Sequence, residues 1–409
     1  MLTENLRATR IPYPTELKEI LSIEKAQESR KWLSCWDKIE AGATPLRDLP
    51  ALAAKLSIGG LGVKDESARS VLGSFKALGA PIALARLILR LWPTHNLDPR
   101  ALFEGRYRDL LTHFTVISAT DGNHGKGLAA AAQTLGCRCV IVLHANVSVE
   151  REQAIAAYGA EIVRIAGNYD ESVEEAARLA SVNGWHVVSD TSYDGYEDIP
   201  RDVMQGYGTI AAEIVEQSDS RPDRSVFTHV FLQGGVGGLA AGLVSFLWEF
   251  HGEHRPRFIV VEPKQADCLY QSALAGRASR ATGSVDSVMA GLACGETSPL
   301  AWKFLQPGVD DFMTISDADA VDAMRVLASG SEGDTPIVAG ESGVAGLAGL
   351  TVLLQDEQLA RKVGLDRTSR VLLINTEGAT APATYHELVG ETAESVLERQ
   401  TAWRANAIA

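Results

Sequence analysis

Two features of the 409-residue sequence predict an α/β fold built on mostly parallel sheet. Short β-branched runs alternate with longer helix-like segments through most of the chain. Most of these runs lack a period of two, as strands covered on both faces do. Strands separated by helices in this order are βαβ units with right-handed crossovers. The length corresponds to two or three domains at roughly 150 residues each. With 46% hydrophobic and 22% charged residues, the composition is that of a globular chain with a sizeable core.

In chain order, the first strand-like run is Ile58–Val63, followed by the charged Lys64-Asp-Glu-Ser67 and by Gly73-Ser-Phe-Lys76, where Lys76 opens a helical run. Pro93–Pro99 reads as a loop. Strands are expected at Phe114–Ser118, Arg138–Leu143, Glu161–Ile165 and Trp185–Ser189, with helices over Lys126–Leu135, Val149–Tyr158 and Asp170–Val182. The polar stretch Gln217–Arg224 separates two βα blocks and is the expected domain boundary. Beyond it lie strands at His229–Leu232, Arg257–Val261 and Arg370–Ile374, a helix over Ala240–Phe250 and a mostly helical tail, His386–Ala405. The pattern predicts a small α/β domain over 111–220, held within a larger domain formed by 1–110 and 221–409.

A formal net charge of −14 gives no overall field that attracts nucleic acid or an anionic membrane, so neither is an expected partner. The start, MLTENLRATRIPYP, is too polar for a secretory signal. The longest apolar stretch, Phe231–Trp248, contains Gln233 and five glycines by Gly242, so it reads as a loop feeding a buried helix rather than a membrane span. Five cysteines in so long a chain do not make a disulfide framework, and a cytoplasmic location is expected. No HExxH or paired CxxC occurs, and no metal site is expected.

Six segments carry candidate chemistry. Lys76 follows an aromatic at the start of a helical run; burial there would lower its pKa, as a Schiff-base amine needs, although a solvated helix-start lysine has the same pattern. Ser118-Ala-Thr-Asp-Gly-Asn-His-Gly125 sits where a strand ends and a helix begins. Its free amides can hold a carboxylate, and Asp121, Asn123 and His124 add polar groups; an ordinary capped turn is the plain alternative. His229–Ala240 runs a strand into four glycines and a helix, which suits a phosphate group. Gly235, Gly237 and Ala240 also spell GxGxxA, with Glu262 placed for a ribose, so a nicotinamide oxidoreductase is a rival. Asp190 closes a strand and opens a polar loop, the position of a catalytic carboxylate in an open sheet. Thr376, in Asn375-Thr-Glu-Gly378, places a neutral hydroxyl at another strand end, and Gly340-Glu-Ser-Gly343 leads into a Gly/Ala-rich helix that tight packing alone would explain.

Taken together, in this order, the segments supply what pyridoxal phosphate requires: an early lysine for the aldehyde, an asparagine for the ring oxygen, glycines for the phosphate and a hydroxyl for the pyridine nitrogen. A non-catalytic sensor that keeps the fold is the remaining alternative class.

At this point the chain resembles the fold type II pyridoxal-phosphate enzymes, the tryptophan synthase beta-like group, through SFK at Lys76, DGNHG at Asp121–Gly125, GGVGG at Gly234–Gly238 and TEG at Thr376–Gly378. Within them it is most similar to the diaminopropionate ammonia-lyase family, through KDES (Lys64–Ser67), TDGNHGKG (Thr120–Gly127), DTSYDGYEDIP (Asp190–Pro200), MQGYGT (Met204–Thr209), ADCLYQS (Ala266–Ser272) and MAGLACGE (Met289–Glu296). Serine and threonine dehydratases typically carry a serine where Asp121 stands.

The resemblance implies two open, twisted, mostly parallel sheets with helices on both faces. It implies that Lys76 bears the cofactor, that Asn123 contacts the ring oxygen, that Gly234, Gly235, Val236, Gly237 and Gly238 hold the phosphate and that Thr376 faces the ring nitrogen. Thr120, Asp121, Gly122, His124 and Asp190 would meet an amino-acid substrate, with Asp121 and Asp190 as the two acidic groups that handle its stereoisomers. The implied reaction is β-elimination of ammonia from D- or L-2,3-diaminopropionate to pyruvate, by a homodimer; a serine/threonine-type dehydratase or a β-replacement enzyme on the same scaffold is the near alternative. Two departures bear on the substrate rather than the cofactor: Ala379 follows TEG where the family continues with aspartate, and Tyr193-Asp194 replaces a bulkier aromatic and a glutamate. Cys268 and Cys294 lie in segments where family members carry a cysteine pair near the site entrance.

Overall fold

Eleven strands, all short, divide between two sheets in the computed structural model, which describes residues 1–408 apart from Asp121, Asn146 and Asn168, and apart from the side chains of Asp170, Glu332 and residues 406–408. In chain order they are β1 (Leu2–Glu4), β2 (Leu46–Asp48), β3 (Gly60–Asp65), β4 (Thr115–Ala119), β5 (Arg138–Leu143), β6 (Glu161–Arg164), β7 (His186–Val187), β8 (His229–Gln233), β9 (Arg257–Pro263), β10 (Asp311–Ile315) and β11 (Arg370–Asn375). The larger sheet has the order β1-β10-β9-β8-β11-β3-β2, and the smaller one β6-β5-β4-β7. Every pairing is parallel except the two that add the outermost strands β1 and β2.

The lack of alternation in the strands has the expected cause. Along the larger sheet, Val230, Leu232, Phe258 and Val260 enter one apolar core while Phe231, Ile259 and Val261 enter another on the opposite face. Helix Gly238–His251 packs in the first core and helix Ala345–Leu354 in the second. Both helices are buried along nearly their whole length, so neither shows a polar stripe. The stretch Phe231–Trp248 is thus the end of β8, a turn and a core helix. No helix among the described residues is long and apolar enough to cross a membrane.

The smaller sheet lies wholly within 111–220. The helix Asp198–Gln217, from the same stretch of sequence, packs instead beside Gly238–His251 and the N-terminal helix Ile23–Leu33. Close contact to the Lys76 segment depends on glycine. A Cβ at Gly206 would stand 2.0 Å from the Leu78 carbonyl oxygen, and one at Gly79 would stand 2.6 Å from the Tyr207 ring. Gly206 of the MQGYGT segment is thus fixed by the Lys76 segment, and Gly208 by Ala26, whose Cβ would stand 2.6 Å from a Cβ there.

Two expectations about local structure change. Lys76 lies in a single 3₁₀ turn, Phe75–Leu78, and the α-helix begins only at Ala80, with Pro81 in its first turn. The C-terminal tail forms two helices, Pro382–Val389 and Ala393–Ile408, separated at Gly390, whose φ of +90° ends the first of them.

Candidate active site

The carboxyl ends of parallel strands are where loops converge and ligands bind in open sheets. In the larger sheet β8 and β11 are neighbours, as are β11 and β3, with Leu373 beside Phe231 and Asn375 beside Asp65. The glycine loop after β8, Thr376 after β11 and the Lys76 segment after β3 therefore emerge side by side. In the smaller sheet β4 and β7 pair at Ile117 and Val187, which brings His124, at the start of the helix after β4, next to Asp190.

Backbone bonds stitch these loops together. Phe75 N–H donates to the Thr376 carbonyl at 3.0 Å, and Gly378 N–H to the Gly73 carbonyl at 2.9 Å. Thr376 itself is 2% exposed. Asn375 donates its side-chain amide to Asp65 Oδ1 at 2.9 Å and to the Val338 carbonyl at 3.0 Å, which fixes the end of β11.

At the centre, Lys76 Nζ donates to Asp190 Oδ2 at 2.5 Å. The amine also lies 5.3 Å from the Phe75 ring centroid and 5.8 Å from that of Tyr207, so two aromatic rings lie beside it. Burial alone would lower the amine's pKa, but the Asp190 carboxylate, aided by Tyr207 and Cys294, carries it above the ordinary lysine value. Burial would likewise raise Asp190; the charge of Lys76, then His124, outweighs it and holds the carboxyl well below its usual range. As it stands, this is an ammonium–carboxylate pair rather than a neutral amine. Burial pushes the Tyr207 phenol up to about 12, and its hydroxyl has no hydrogen-bond partner.

His124, the second residue of the helix Asn123–Leu135, is buried with Nε2 2.9 Å from the Val188 carbonyl. Its Nδ1 lies 3.8 Å from Asp190 Oδ2 and has no hydrogen bond. Asn123 Nδ2 donates to Glu377 Oε2 at 2.5 Å, and Ser342 N–H donates to Glu377 Oε1 at 3.2 Å. Glu341 is buried against Glu377 and has Arg151 Nη2 3.4 Å away; burial and then the Glu377 carboxylate raise it to about 7. Asp121 lies outside the described residues.

The glycine loop is crowded at Gly234 and Gly237. A Cβ at Gly234 would stand 2.5 Å from Glu262 Cγ, and one at Gly235 would stand 3.2 Å from Cys294 Sγ. Gly237 has φ +103°, a left-handed conformation that favours glycine, and the helix Gly238–His251 starts directly after it. The first N–H groups of that helix have no acceptor within it, so loop and helix start form an anion cradle. Gly238 borders Asp190 and Tyr207, since a Cβ there would lie 3.8 Å from the Asp190 carbonyl oxygen and about 4.0 Å from the phenol ring. Cradle, amine and carboxylate belong to one site. Cys268 Sγ donates to the Gly235 carbonyl at 3.4 Å, which puts both expected cysteines against this glycine.

The dinucleotide reading fails on Glu262. Instead of facing a ligand it is fully buried, accepting from Leu269 N–H at 2.9 Å and Tyr270 N–H at 2.7 Å at the start of helix Cys268–Ala275. Residues given no role from sequence at this site are Tyr207, Glu377 and Arg151. Each is brought in by a tertiary approach, as with Asn123 and Glu377, which lie 254 positions apart.

An amine beside a phosphate-type cradle at converging strand ends is the arrangement of an enzyme that holds a phosphorylated aldehyde covalently. Residues 38–377 match the family described as pyridoxal-phosphate dependent enzyme, and the chain belongs to that family. Its cofactor is pyridoxal phosphate, and the fold is fold type II, with two mostly parallel sheets covered by helices. The chain is similar to diaminopropionate ammonia-lyase of Salmonella typhimurium, at 38% identity over 85% of this chain and 87% of that protein. It is 30% identical to a probable D-serine dehydratase of Burkholderia pseudomallei, over 84% of this chain and 78% of that one. Among solved structures, holo diaminopropionate ammonia lyase from Escherichia coli superposes with TM-score 0.86 and 36% identity, covering 95% of this chain and 96% of that one. The same E. coli enzyme in complex with an aminoacrylate-PLP azomethine reaction intermediate gives TM-score 0.84 at 36% identity.

Proposed function

We propose that this chain eliminates ammonia from 2,3-diaminopropionate, of D or L configuration, yielding pyruvate and ammonia. The observation that carries the reading is the Lys76–Asp190 contact of 2.5 Å at the mouth of the glycine cradle, which puts an acid–base group against the cofactor-bearing amine. The family resemblance and the ammonia-lyase relatives support it. Bound at Lys76, pyridoxal phosphate supplies an electron sink for negative charge at the substrate Cα.

The remaining work falls to the chain's own groups. Gly234, Gly235, Val236, Gly237 and Gly238 hold the phosphate, Asn123 meets the ring oxygen and Thr376 the ring nitrogen. A neutral hydroxyl does not hold a proton on that nitrogen, which favours loss of a β-leaving group over transamination. Thr120, Gly122 and the helix start at Asn123 receive the substrate carboxylate, and His124 lines the same end of the site. The ionised Asp190 attracts the substrate's second ammonium, and Asp190 and Asp121 take the Cα proton from opposite isomers. Departing ammonia must carry a proton, which Lys76 or one of the aspartates delivers. The reading includes a large domain of 1–110 and 221–409, a small one of 111–220, a homodimer and a cytoplasmic location.

The D-serine dehydratase relative favours a second reading, elimination of water from serine or threonine. Pyruvate release from diaminopropionate and serine, and oxobutyrate release from threonine, separate the two. Faster turnover of serine or threonine would replace the first reading with the second, and a purified protein without visible cofactor absorbance would remove both.

A further inference from the structure

Asp190 Oδ2 has two basic groups beside it, Lys76 Nζ at 2.5 Å and His124 Nδ1 at 3.8 Å. They differ in what else they can do. Lys76 is the amine that joins the cofactor under the function proposed above, on which the present inference rests, and an amine so engaged no longer gives its full charge to Asp190. His124 stays where it is. Its ring is buried, and Nε2 faces the Val188 carbonyl at 2.9 Å. A carbonyl only accepts, so Nε2 carries hydrogen, and Nδ1 is left as a buried atom without a partner, turned toward Asp190.

We propose that His124 is the positioning residue of Asp190: Nδ1 receives the proton that Asp190 takes from substrate, and the resulting imidazolium holds the carboxylate in place. The step is a single proton transfer, from the carboxyl Oδ2 to Nδ1. It turns an acid and a neutral imidazole into a carboxylate and an imidazolium, and no other bond changes. The titratable groups facing the pair agree with this direction. Burial, then the charge of Lys76, keeps His124 neutral in the cofactor-free chain, while Asp190 draws a proton toward it. Tyr207 and Tyr196 also face Asp190, but burial raises both phenols, so neither competes as an anion.

The test has two arms. In protein with ¹⁵N-labelled histidine, the His124 signal is assigned by its loss in His124→Gln. Nδ1 is expected in the unprotonated range without substrate and to move toward the protonated range after reconstitution with pyridoxal phosphate and an amino-acid analogue that yields its Cα proton but has no β-leaving group. In the second arm, His124→Gln lowers kcat about thirtyfold for the isomer whose proton Asp190 handles and removes one limb of its pH profile. The other isomer loses less, and the cofactor absorbance is retained. An Nδ1 state that does not alter on loading, or equal losses on both isomers with unchanged pH limbs, overturns the proposal. If the parent enzyme fails to release pyruvate from diaminopropionate, the function falls while the spectroscopic arm still reads the state of the pair. If His124→Gln does not fold, His124→Asn supplies the assignment and the parent's ¹⁵N spectra are read against it.

Discussion

Two charge clusters, one around Lys64 and one around Lys76, differ in how fully their polar atoms are matched. Lys64, Glu66, Arg69 and Glu213 are all 1% exposed or less. Lys64 Nζ donates to the Thr44 carbonyl at 2.7 Å, Glu213 at 2.6 Å and Gln217 at 2.8 Å. Arg69 forks onto both carboxylates, with four contacts between 2.7 and 2.9 Å. Two cations meet two anions, and the donors are used up. The cluster ties β3 to the helix Asp198–Gln217 and so fixes the floor beneath Lys76. In the second cluster Lys76 and Asp190 are paired, but His124 Nδ1 and the Tyr207 hydroxyl have no partner. Such unmatched groups cost stability, and they persist where a ligand or a moving proton can satisfy them. Chemically similar side chains thus serve as frame in one place and as machinery in the other.

Substitution can break this contrast. Lys76→Ala carries the largest expected effect: turnover falls about ten-thousandfold or more, the size typical of losing an essential covalent residue, and the cofactor absorbance and borohydride-reducible linkage vanish while the fold survives. A mutant that keeps a reducible linkage would show that another amine bears the cofactor. Lys64→Met has the opposite profile. Removing one partner of a buried ion pair costs about 3–5 kcal/mol, so its urea midpoint drops sharply, whereas the folded fraction keeps its absorbance and its isomer preference. Loss of absorbance without loss of stability would erase the distinction between frame and machinery. Asp190→Asn is expected to slow one isomer of diaminopropionate about a hundredfold more than the other, the range of a lost acid–base group. Asp121→Asn should show the reverse bias, and equal losses in both variants would end the two-acid scheme.

Legibility in the sequence followed the same division. The apolar parallel strands were readable because burial on both faces leaves an uninterrupted run: Arg138–Leu143 appears with those very bounds, and His229–Leu232 and Arg370–Ile374 each end one residue short. Three strands were not expected. Leu2–Glu4 and Leu46–Asp48 are three-residue edges added antiparallel, too short to carry a period. Asp311–Ile315 opens on a carboxylate that Arg257 neutralises from the neighbouring strand at 2.6 Å, a compensation invisible along the chain. Lys76, Asp190 and the glycine loop stood out because strand ends and glycines mark sites locally. Tyr207 and Glu377 did not, since only the approach of separate loops gives them a partner. The KDES segment, conspicuous as a family marker, belongs mainly to the frame: Lys64 and Glu66 sit in the balanced cluster, and Asp65 binds Arg47 at 2.7 Å and Asn375 at 2.9 Å.

The smallest expected effect concerns Glu341, which lies between the two extremes. It is buried, but its nearest cation, Arg151, stands 3.4 Å away, and burial and then Glu377 raise its carboxyl from an ordinary 4.5 to about 7. Between those values the folded chain keeps a proton that the unfolded chain has released. Folding is therefore coupled to proton uptake, and this group's contribution is fully present below pH 4.5 and is lost as pH rises toward about 7. The swing is about 3 kcal/mol, and Glu341→Gln, which cannot titrate, should remove it. Melting temperatures of both proteins at intervals from pH 4.5 to 8 measure the difference. A gap between the two curves that grows as pH rises from 4.5 to 7 and then levels off places Glu341 with the unmatched groups of the site. Parallel curves would mean that Arg151 already compensates the charge and that this corner belongs with the frame.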